Sequence, residues 1–327
     1  MILLRNNINY TELGIELNDL KKSFLHYIEH KYVYNTYIKY RSFIFKVAWY
    51  EQNFSHKDLS EFTFQEVVDM LKFFNADTET SLNTQLSIVR KYMEVAVIQG
   101  YISNNLDILS SLTKETLSNF INSKAKEERY LTKKELLSAV KELKNPQDKI
   151  IFLLIFDGIM GKAYEDLINL KVEDYYSENH SIKVGDKLYK LSRETEYALR
   201  YALEQDVYFM YYKENDKYSQ YKLNPNDPYI IRSKKSKVDK PISTVGIRRR
   251  IDTCREYMNK EYIHGKTVWL SGIAHRLIEL ESENQLELVH GQIKEYCNKE
   301  NINTNIIDMI DIIKIIKEKH KQENELA

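Results

Sequence analysis

The chain has 327 residues, 43% of them hydrophobic, which is enough for two domains with apolar cores and excludes a disordered composition. Its 48 basic and 48 acidic residues cancel, so overall charge does not indicate a nucleic-acid partner and only local basic clusters could. The 2 cysteines exclude a disulfide framework and favour a reducing cytoplasm. Met1–Asn9 are too polar to predict a signal peptide, and no uncharged apolar run approaches the roughly 18 residues of a membrane span.

The N-terminal part has the pattern of a helical domain. No proline precedes Pro146, so no helix before that residue is interrupted by a proline ring. Apolar residues recur at helical spacing, which predicts helices over 15–30, 33–50, 63–74 and 80–99 and a shorter helix over 104–120. The clearest predicted buried stripe belongs to the fourth helix and comprises Leu82, Leu86, Val89, Met93 and Ala96.

A break in this pattern separates two domains. Residues 121–130 are polar and without periodicity, which predicts a linker. A capping box from Thr132 to Glu135 then predicts a helix start, and Pro146 predicts the first turn of the next helix, whose apolar run is Ile150–Phe156.

Beyond that point the hydrophobic period changes to that of a strand. Ser181–Val184 and Lys187–Leu191, joined by Gly185 and Asp186, predict a β-hairpin with a two-residue turn. The other elements predicted for this half are helices over 163–170, 193–213, 243–259 and 267–281, a strand over 229–231 and a helical C-terminal region that includes Ile306–Ile316.

Two segments have a more specific pattern. Residues 130–136 read Tyr-Leu-Thr-Lys-Lys-Glu-Leu, and residues 161–174 read Gly-Lys-Ala-Tyr-Glu-Asp-Leu-Ile-Asn-Leu-Lys-Val-Glu-Asp. The first resembles the opening of the catalytic domain of tyrosine recombinases, the phage-integrase superfamily. The second is similar to that family's Gly-x-Arg-x-x-Glu-Leu-x-x-Leu-x-x-x-Asp block.

The resemblance implies a fold that is mainly α with a small β-hairpin or sheet. It implies a helical core-binding domain over 1–120, a linker over 121–130 and a tyrosine-recombinase-like domain over 131–327. In the resembled fold the two domains clamp double-stranded DNA.

The residues that cut DNA are missing from the matching positions. The family uses a tyrosine nucleophile, two arginines that stabilise charge on the phosphate, and a histidine and a lysine for proton transfer. The resemblance places Ala163, or Lys162 in a register one residue earlier, at the first arginine. It places Lys266 at the histidine and Trp269 at the arginine of the family's His-x-x-Arg motif.

The nucleophile is absent as well. No tyrosine follows Tyr296, although the family nucleophile belongs in the last helical region, here Ile306–Ile313. We therefore expect no catalytic residue and no strand cleavage.

Clamping DNA needs no nucleophile, only cationic and polar side chains that face the phosphates and the grooves. Residues 232–250 are rich in basic side chains, with Asp239 as their one acid. The candidate contacts in the second domain are Lys162, Lys183, Lys187, Lys234, Lys235, Lys237, Arg248, Arg249, Arg250 and Lys266. On the second and fourth helices, which face the major groove in the resembled fold, the candidates are Lys39, Arg41, Lys46, Asn83, Arg90 and Lys91.

Each candidate has an alternative as an ordinary solvated surface side chain. Three consecutive helical residues cannot share one face, so we expect one or two of Arg248–Arg250 to reach DNA and the third to make a structural pair.

Other site chemistries find no support in the sequence, and we expect no cofactor and no metal. Neither a Cys-x-x-Cys pair nor a His-Glu-x-x-His motif occurs. Gly158–Ala163 lacks two spacer residues and the Ser or Thr of a phosphate-binding loop.

Three functions remain open. Within the superfamily the chain most resembles the integrase-like lysogeny repressors of SPbeta-group Bacillus phages, which implies sequence-specific repression of lytic genes. The alternatives are an active recombinase with displaced catalytic residues and an accessory protein that assembles with a true recombinase. The expected partners are double-stranded DNA and either a regulatory protein or a second copy bound through the apolar C-terminal stripe Ile306, Ile310, Ile313 and Ile316.

Overall fold

The computed structural model describes residues 14–76, 79–103, 123–211, 219–233 and 240–325. The chain forms two compact units, 1–126 and 127–327. The helix predicted over 104–120 and the candidates Lys234, Lys235 and Lys237 lie outside the described residues.

The first unit is a helical bundle, as predicted. Its helices are α1 (Asp19–Lys31), α2 (Tyr34–Tyr50), α3 (Phe64–Phe74) and α4 (Glu79–Ile98). A π-helical turn, Glu51–Ser55, continues α2 and ends at His56 in the left-handed conformation. The stripe predicted on α4 is buried along its whole length, so the local pattern identified the core face.

A buried polar network ties α1 to the loop after α2. The Lys21 ammonium lies 2.7 Å from a Glu51 carboxylate oxygen and also pairs with Asp58, which accepts a hydrogen bond from the Tyr92 hydroxyl at 2.9 Å. Burial raises the pKa of Glu51 to about 7 even though Lys21 opposes the shift. Burial acts in the same direction on Asp58, but Lys21 outweighs it and lowers that pKa to about 2. The network is therefore sensitive to pH through Glu51.

A short helix, α5 (Ser123–Glu128), lies within the segment predicted as the linker, and the boundary between the two compact units, after residue 126, falls in the same segment. The residues Ser-Lys-Ala-Lys-Glu-Glu tolerate a helix even without an apolar stripe.

The second unit begins at the predicted capping box. The Thr132 side chain accepts from the Glu135 backbone N–H at 3.0 Å, and the Glu135 carboxylate accepts from the Thr132 backbone N–H at 2.9 Å. The helices of this unit are α6 (Lys133–Lys141), α7 (Pro146–Phe156), α8 (Glu165–Asn169), α9 (Arg193–Glu204), α10 (Thr244–Tyr257), α11 (Gly265–Ser282), α12 (His290–Lys299) and α13 (Ile306–Glu325). The apolar run of α7 is buried throughout and forms the centre of the unit.

The predicted β-hairpin is confirmed within a small antiparallel sheet. The sheet has the order β1 (Tyr175–Tyr176), β2 (Ser181–Val184) and β3 (Lys187–Lys190), with Lys183 opposite Leu188. Gly185 opens the turn with φ of 58°, a conformation that glycine adopts without strain.

Three predictions for this half are wrong in part. The helix predicted over 193–213 ends at Glu204, and Val207–Phe209 is a strand, β4, paired with β5 (Gln220–Lys222), where Tyr208 stacks on Tyr221. The strand predicted over 229–231 is reduced to one bridge between Lys171 and Tyr229. The helix predicted over 163–170 begins with a separate 3-10 turn and becomes α-helical only at Glu165.

The C-terminal helix α13 packs on its own unit. Ile313 and Ile316 are buried against α11 together with Met309 and Ile312, and Ile306 and Ile310 pack at the edge of the same cluster. The Lys319 ammonium donates to the Tyr130 carbonyl at 2.8 Å. The predicted stripe is therefore a core face of its own unit and not a free surface for self-association. Over the residues in the described ranges, no helix has the length and apolarity needed to cross a membrane.

Candidate nucleic-acid interface

The turn before α8 contains Lys162 and Ala163, the two positions that the resemblance predicts for the family's first arginine. Gly161 has φ of 69°, and a Cβ there would lie 2.6 Å from the Asp166 backbone nitrogen, so this position excludes a side chain. Ala163 (φ 55°) and Tyr164 (φ 69°) are also left-handed, which is strained for residues other than glycine. Lys162 and Ala163 are exposed at this turn. The turn therefore presents a lysine and a methyl group, and no guanidinium.

Tyr164 connects this turn to two helices. Its hydroxyl lies against the start of α11, where the backbone of Gly265 acts to lower the Tyr164 pKa. A Cβ on Gly265 would lie 2.5 Å from that hydroxyl oxygen, so the ring fills the space that a side chain there would need. Burial raises the pKa of Tyr164, and the nearby Arg248 guanidinium on α10 opposes the shift. The turn, α10 and α11 thus meet at Tyr164.

The three segments that meet here each carry an exposed cation. Lys162 precedes Tyr164 by two residues, Lys266 follows Gly265, and Arg248 acts on the phenol electrostatically. All three are exposed, and none has an acidic partner among the residues that the structure describes. We call Lys162, Arg248 and Lys266 the Tyr164 patch. Arg249, also exposed, is its neighbour on α10.

Trp269, which the resemblance predicts at the family's second arginine, makes structural contacts. Its indole N–H donates to the Gly158 carbonyl at 3.2 Å, and the half-buried ring packs against the cores on both sides of α11. An indole has one donor and no charge, so it does not replace a guanidinium at a phosphate.

His264 is a feature that the sequence reasoning missed. It stands at the N-cap of α11, where its backbone N–H donates to the Thr267 hydroxyl at 2.8 Å. The Arg255 guanidinium donates to its ring, with Nδ1 at 2.9 Å and Nε2 at 3.3 Å from the same guanidinium nitrogen. Burial, with Arg255 adding to it, lowers the pKa of His264. His264 lies two residues before Lys266, which the resemblance predicts at the family's histidine. No local sequence pattern indicates that His264 pairs with Arg255.

The hairpin contributes one exposed and one paired lysine. Lys183 is exposed and has no ion-pair partner within the described ranges. Lys187 pairs with Glu300, directly after α12, and its ammonium lies 4.8 Å from the Tyr189 ring centroid. Lys183 is therefore the more available of the two for a phosphate.

Arg250 is a correction to the predicted DNA-binding set. Its guanidinium is buried, donates to the Arg232 carbonyl at 3.0 Å, lies 3.9 Å from an Asp148 carboxylate oxygen and stacks 4.8 Å from the Tyr208 ring centroid. As predicted, the three consecutive arginines do not share one face of the helix. Arg248 and Arg249 are exposed, and Arg250 makes the internal pair. Arg232, at the start of the basic run, is buried as well.

The candidates of the first unit differ in exposure. Lys39 and Asn83 are exposed and, over the described ranges, without a hydrogen-bond or ion-pair partner. Arg41 lies over the Phe45 ring at 5.4 Å. The remaining three are Lys46, which lies 4.4 Å from the Phe74 ring centroid, Lys91, which pairs with Glu94, and Arg90, which is exposed.

The region of the expected nucleophile is the packing face of α13. It has no hydroxyl side chain between Ile306 and Ile313, and Met309, Ile312 and Ile313 are buried.

Comparison with known proteins gives a consistent family match. Residues 130–321 match a family model described as MrpR, C-terminal catalytic domain, and residues 17–99 match MrpR, N-terminal core-binding domain. The chain is 24% identical over 251 residues to the SPbeta prophage-derived uncharacterized protein YopR of Bacillus subtilis (strain 168), covering 73% of this chain and 76% of that protein.

Solved structures of recombinases are more distant. The crystal structure of XerA recombinase is 14% identical, with a TM-score of 0.38 and coverage of 94% of this chain and 98% of that chain. A lambda integrase dimer bound to a COC' core site is 13% identical, with a TM-score of 0.45 and coverage of 81% and 71%.

Proposed function

Because the chain belongs to the MrpR family of tyrosine-recombinase-like proteins, we propose that it is a sequence-specific repressor that binds double-stranded DNA and does not cut it. The prophage origin of the relative YopR supports a role in phage gene control. In this proposal the scaffold positions the protein on an operator, and occupancy of the operator blocks transcription.

The observation that most supports the proposal is the composition of the Tyr164 patch. Lys162, Arg248 and Lys266 are exposed cations without an acidic partner in the described part of the chain. Such side chains bind phosphates through charge and counterion release. A lysine contacts a phosphate as a point charge. The patch is therefore suited to binding a phosphate rather than to activating it for cleavage.

The same site lacks the groups that cleavage requires. The resemblance predicts Ala163 and Trp269 at the family's two arginines, and the Trp269 N–H already donates to the Gly158 carbonyl. Removal of one preorganised donor to a transition state typically costs about 100- to 1000-fold in rate. Two missing arginines together with a missing nucleophile fit a protein without strand-cleaving activity.

Sequence recognition is assigned to the first unit. Asn83 is exposed on α4, and an amide side chain can hydrogen-bond both major-groove atoms of adenine. Lys39, exposed on α2, fits a phosphate contact that sets the register of the helices. We therefore expect Asn83→Ala to relax base preference and Lys39→Ala to weaken binding uniformly across sequences.

The test of repression is a genome-wide binding map of the protein in a lysogenic host, followed by gel shifts on the recovered sites. We expect a small number of sites bound in the nanomolar range, at least about 1000-fold more tightly than competitor DNA. Equal affinity for recovered and competitor sequences contradicts the repressor proposal.

Cleavage is tested separately on the same sites. Nicked duplexes that trap covalent recombinase intermediates are incubated with the protein and resolved under denaturing conditions. We expect no covalent adduct. An adduct through any tyrosine would show an active recombinase with displaced residues and would leave the DNA-binding result intact.

A further inference from the structure

An apolar groove opens on the surface of the second unit, and its lining includes none of the residues proposed to contact DNA. Its volume is about 490 Å³, and α6, α7 and α9 line it. Leu137 and Val140 of α6, Leu153 of α7 and Ala198 of α9 form its floor. We call it the Leu137 groove.

The rim of the Leu137 groove is positively charged. Lys141, Lys149 and Arg193 stand around the floor, and Glu194 is the one acid of the lining. Glu194 is already neutralised by Lys133 at 3.1 Å. Lys141 and Arg193 are exposed, and no described acidic side chain pairs with either of them. A ligand that fits this rim must supply negative charge.

Exposed aromatic side chains extend the groove along α9. Tyr197 and Tyr201 are 64% and 48% exposed, and their hydroxyls share a hydrogen bond of 3.0 Å. Their ring centroids lie 4.7 Å apart, so the pair forms one continuous aromatic surface one helical turn long. Tyrosine is enriched among the residues that contribute most to protein–protein binding.

From these features we infer that the Leu137 groove binds an acidic amphipathic helix of a partner protein. Apolar side chains of that helix fill the floor, as in other helix-in-groove complexes, and its Asp and Glu residues face Lys141 and Arg193. The 9 residues of α6 span about 13 Å, which matches two to three turns of the partner. The inference does not depend on the proposed repressor function.

An acidic helix fits this surface better than DNA does. A phosphate backbone gains its affinity from exposed cations and makes no use of a concave apolar floor. A floor of Leu, Val and Ala with a tyrosine at its edge resembles the core of a protein interface. None of the groove-lining residues belongs to the proposed DNA-binding set.

The test begins with selection of a phage-displayed library of random peptides of about 14 residues on the full-length chain. The most enriched peptide is then synthesised, labelled and measured by fluorescence anisotropy. We expect enriched peptides to have apolar residues at helical spacing and an excess of Asp and Glu. A lack of enrichment, or enrichment without acidic residues, would overturn the inference.

Charge reversal at the rim locates the binding site. The double variant Lys141→Glu, Arg193→Glu should weaken binding of the selected peptide by about tenfold or more, and Tyr197→Ser should weaken it severalfold. Glutamate at 193, in the first turn of α9, suits the helix dipole, whereas glutamate at 141, in the last turn of α6, opposes it by about 0.3–1 kcal/mol, so circular dichroism is used to check that the double variant is folded. Lys294→Glu, an exposed change on α12, is the matched control and should leave binding unchanged.

Two results contradict the inference directly. One is undiminished peptide affinity in the folded double variant. The other is competitive displacement of the peptide by a short DNA duplex, which would assign the groove to DNA instead.

Discussion

Salt dependence gives a quantitative test of the Tyr164 patch. Each phosphate contact contributes about 0.9 to the slope of log affinity against log salt concentration. If Lys162, Arg248 and Lys266 each neutralise one phosphate, alanine at any one of them should reduce the slope by about 0.9. Alanine at all three should reduce the slope by about 2.7. The affinity lost by the triple variant relative to wild type should then be about 500-fold greater at about 0.1 M salt than at about 1 M salt.

The assay is fluorescence anisotropy on a mapped binding site, titrated between about 50 and 300 mM NaCl. Because the three side chains are exposed and unpaired in the described residues, their removal should change stability by no more than about 0.5 kcal/mol. Lys187→Ala is the matched control, since Lys187 already pairs with Glu300, and its slope change should be well below that of the others. Slopes that stay at the wild-type value in all three single variants would refute the assignment of the patch to DNA.

Gly272→Ala should lower the free energy of unfolding by about 2 kcal/mol, because its Cβ would lie 2.7 Å from a backbone carbonyl carbon of α7. A Cβ on Gly291 would have no atom within 4 Å, so Gly291→Ala should raise the free energy of unfolding by about 0.5–1 kcal/mol. If urea denaturation shows that both variants change stability in the same direction, this packing is contradicted. The Glu51 pKa of about 7 lies above its ordinary value of 4.5, so the folded state holds a proton that the unfolded state has lost between those pH values. Unfolding free energy should therefore fall from about pH 4.5 to 7 by up to about 3 kcal/mol, and Glu51→Gln should remove that fall. Denaturation curves at several pH values check this, and an unchanged pH profile in the variant would contradict it. Glu300→Gln should tighten DNA binding about two- to fivefold at low salt by releasing Lys187, whereas unchanged anisotropy would show that this lysine does not reach DNA.

Much of the fold was predictable from local pattern. The four helices predicted between residues 15 and 99, the capping box at Thr132 and the hairpin around Gly185 all occur within about four residues of their predicted bounds. These features depend on contacts between residues close in sequence, where hydrophobic period and capping chemistry are directly visible. The prediction failed over Val207–Phe209, because a helical pattern upstream was extended into residues whose strand pairing lies beyond the next loop.

The candidate site was less predictable because its geometry comes from distant pairings. The Trp269 indole bonds a carbonyl 111 residues away, and Lys187 pairs with a carboxylate 113 residues away. Arg248 and Arg250 are equivalent in a sequence pattern, yet one is exposed and the other is buried near Asp148. No local rule separates two arginines that differ only in which neighbour the fold brings to them.

The sequence by itself determined which chemical groups are present. The sequence alone shows that no tyrosine follows Tyr296 and that alanine occupies position 163, where the resemblance predicts an arginine. Tertiary structure alone decided which charges are available. It buried Arg250, paired Lys187, left Lys162 and Lys266 exposed and surrounded an apolar groove with cations. The reason is that side-chain identity is local, whereas burial and charge pairing depend on the whole packed chain.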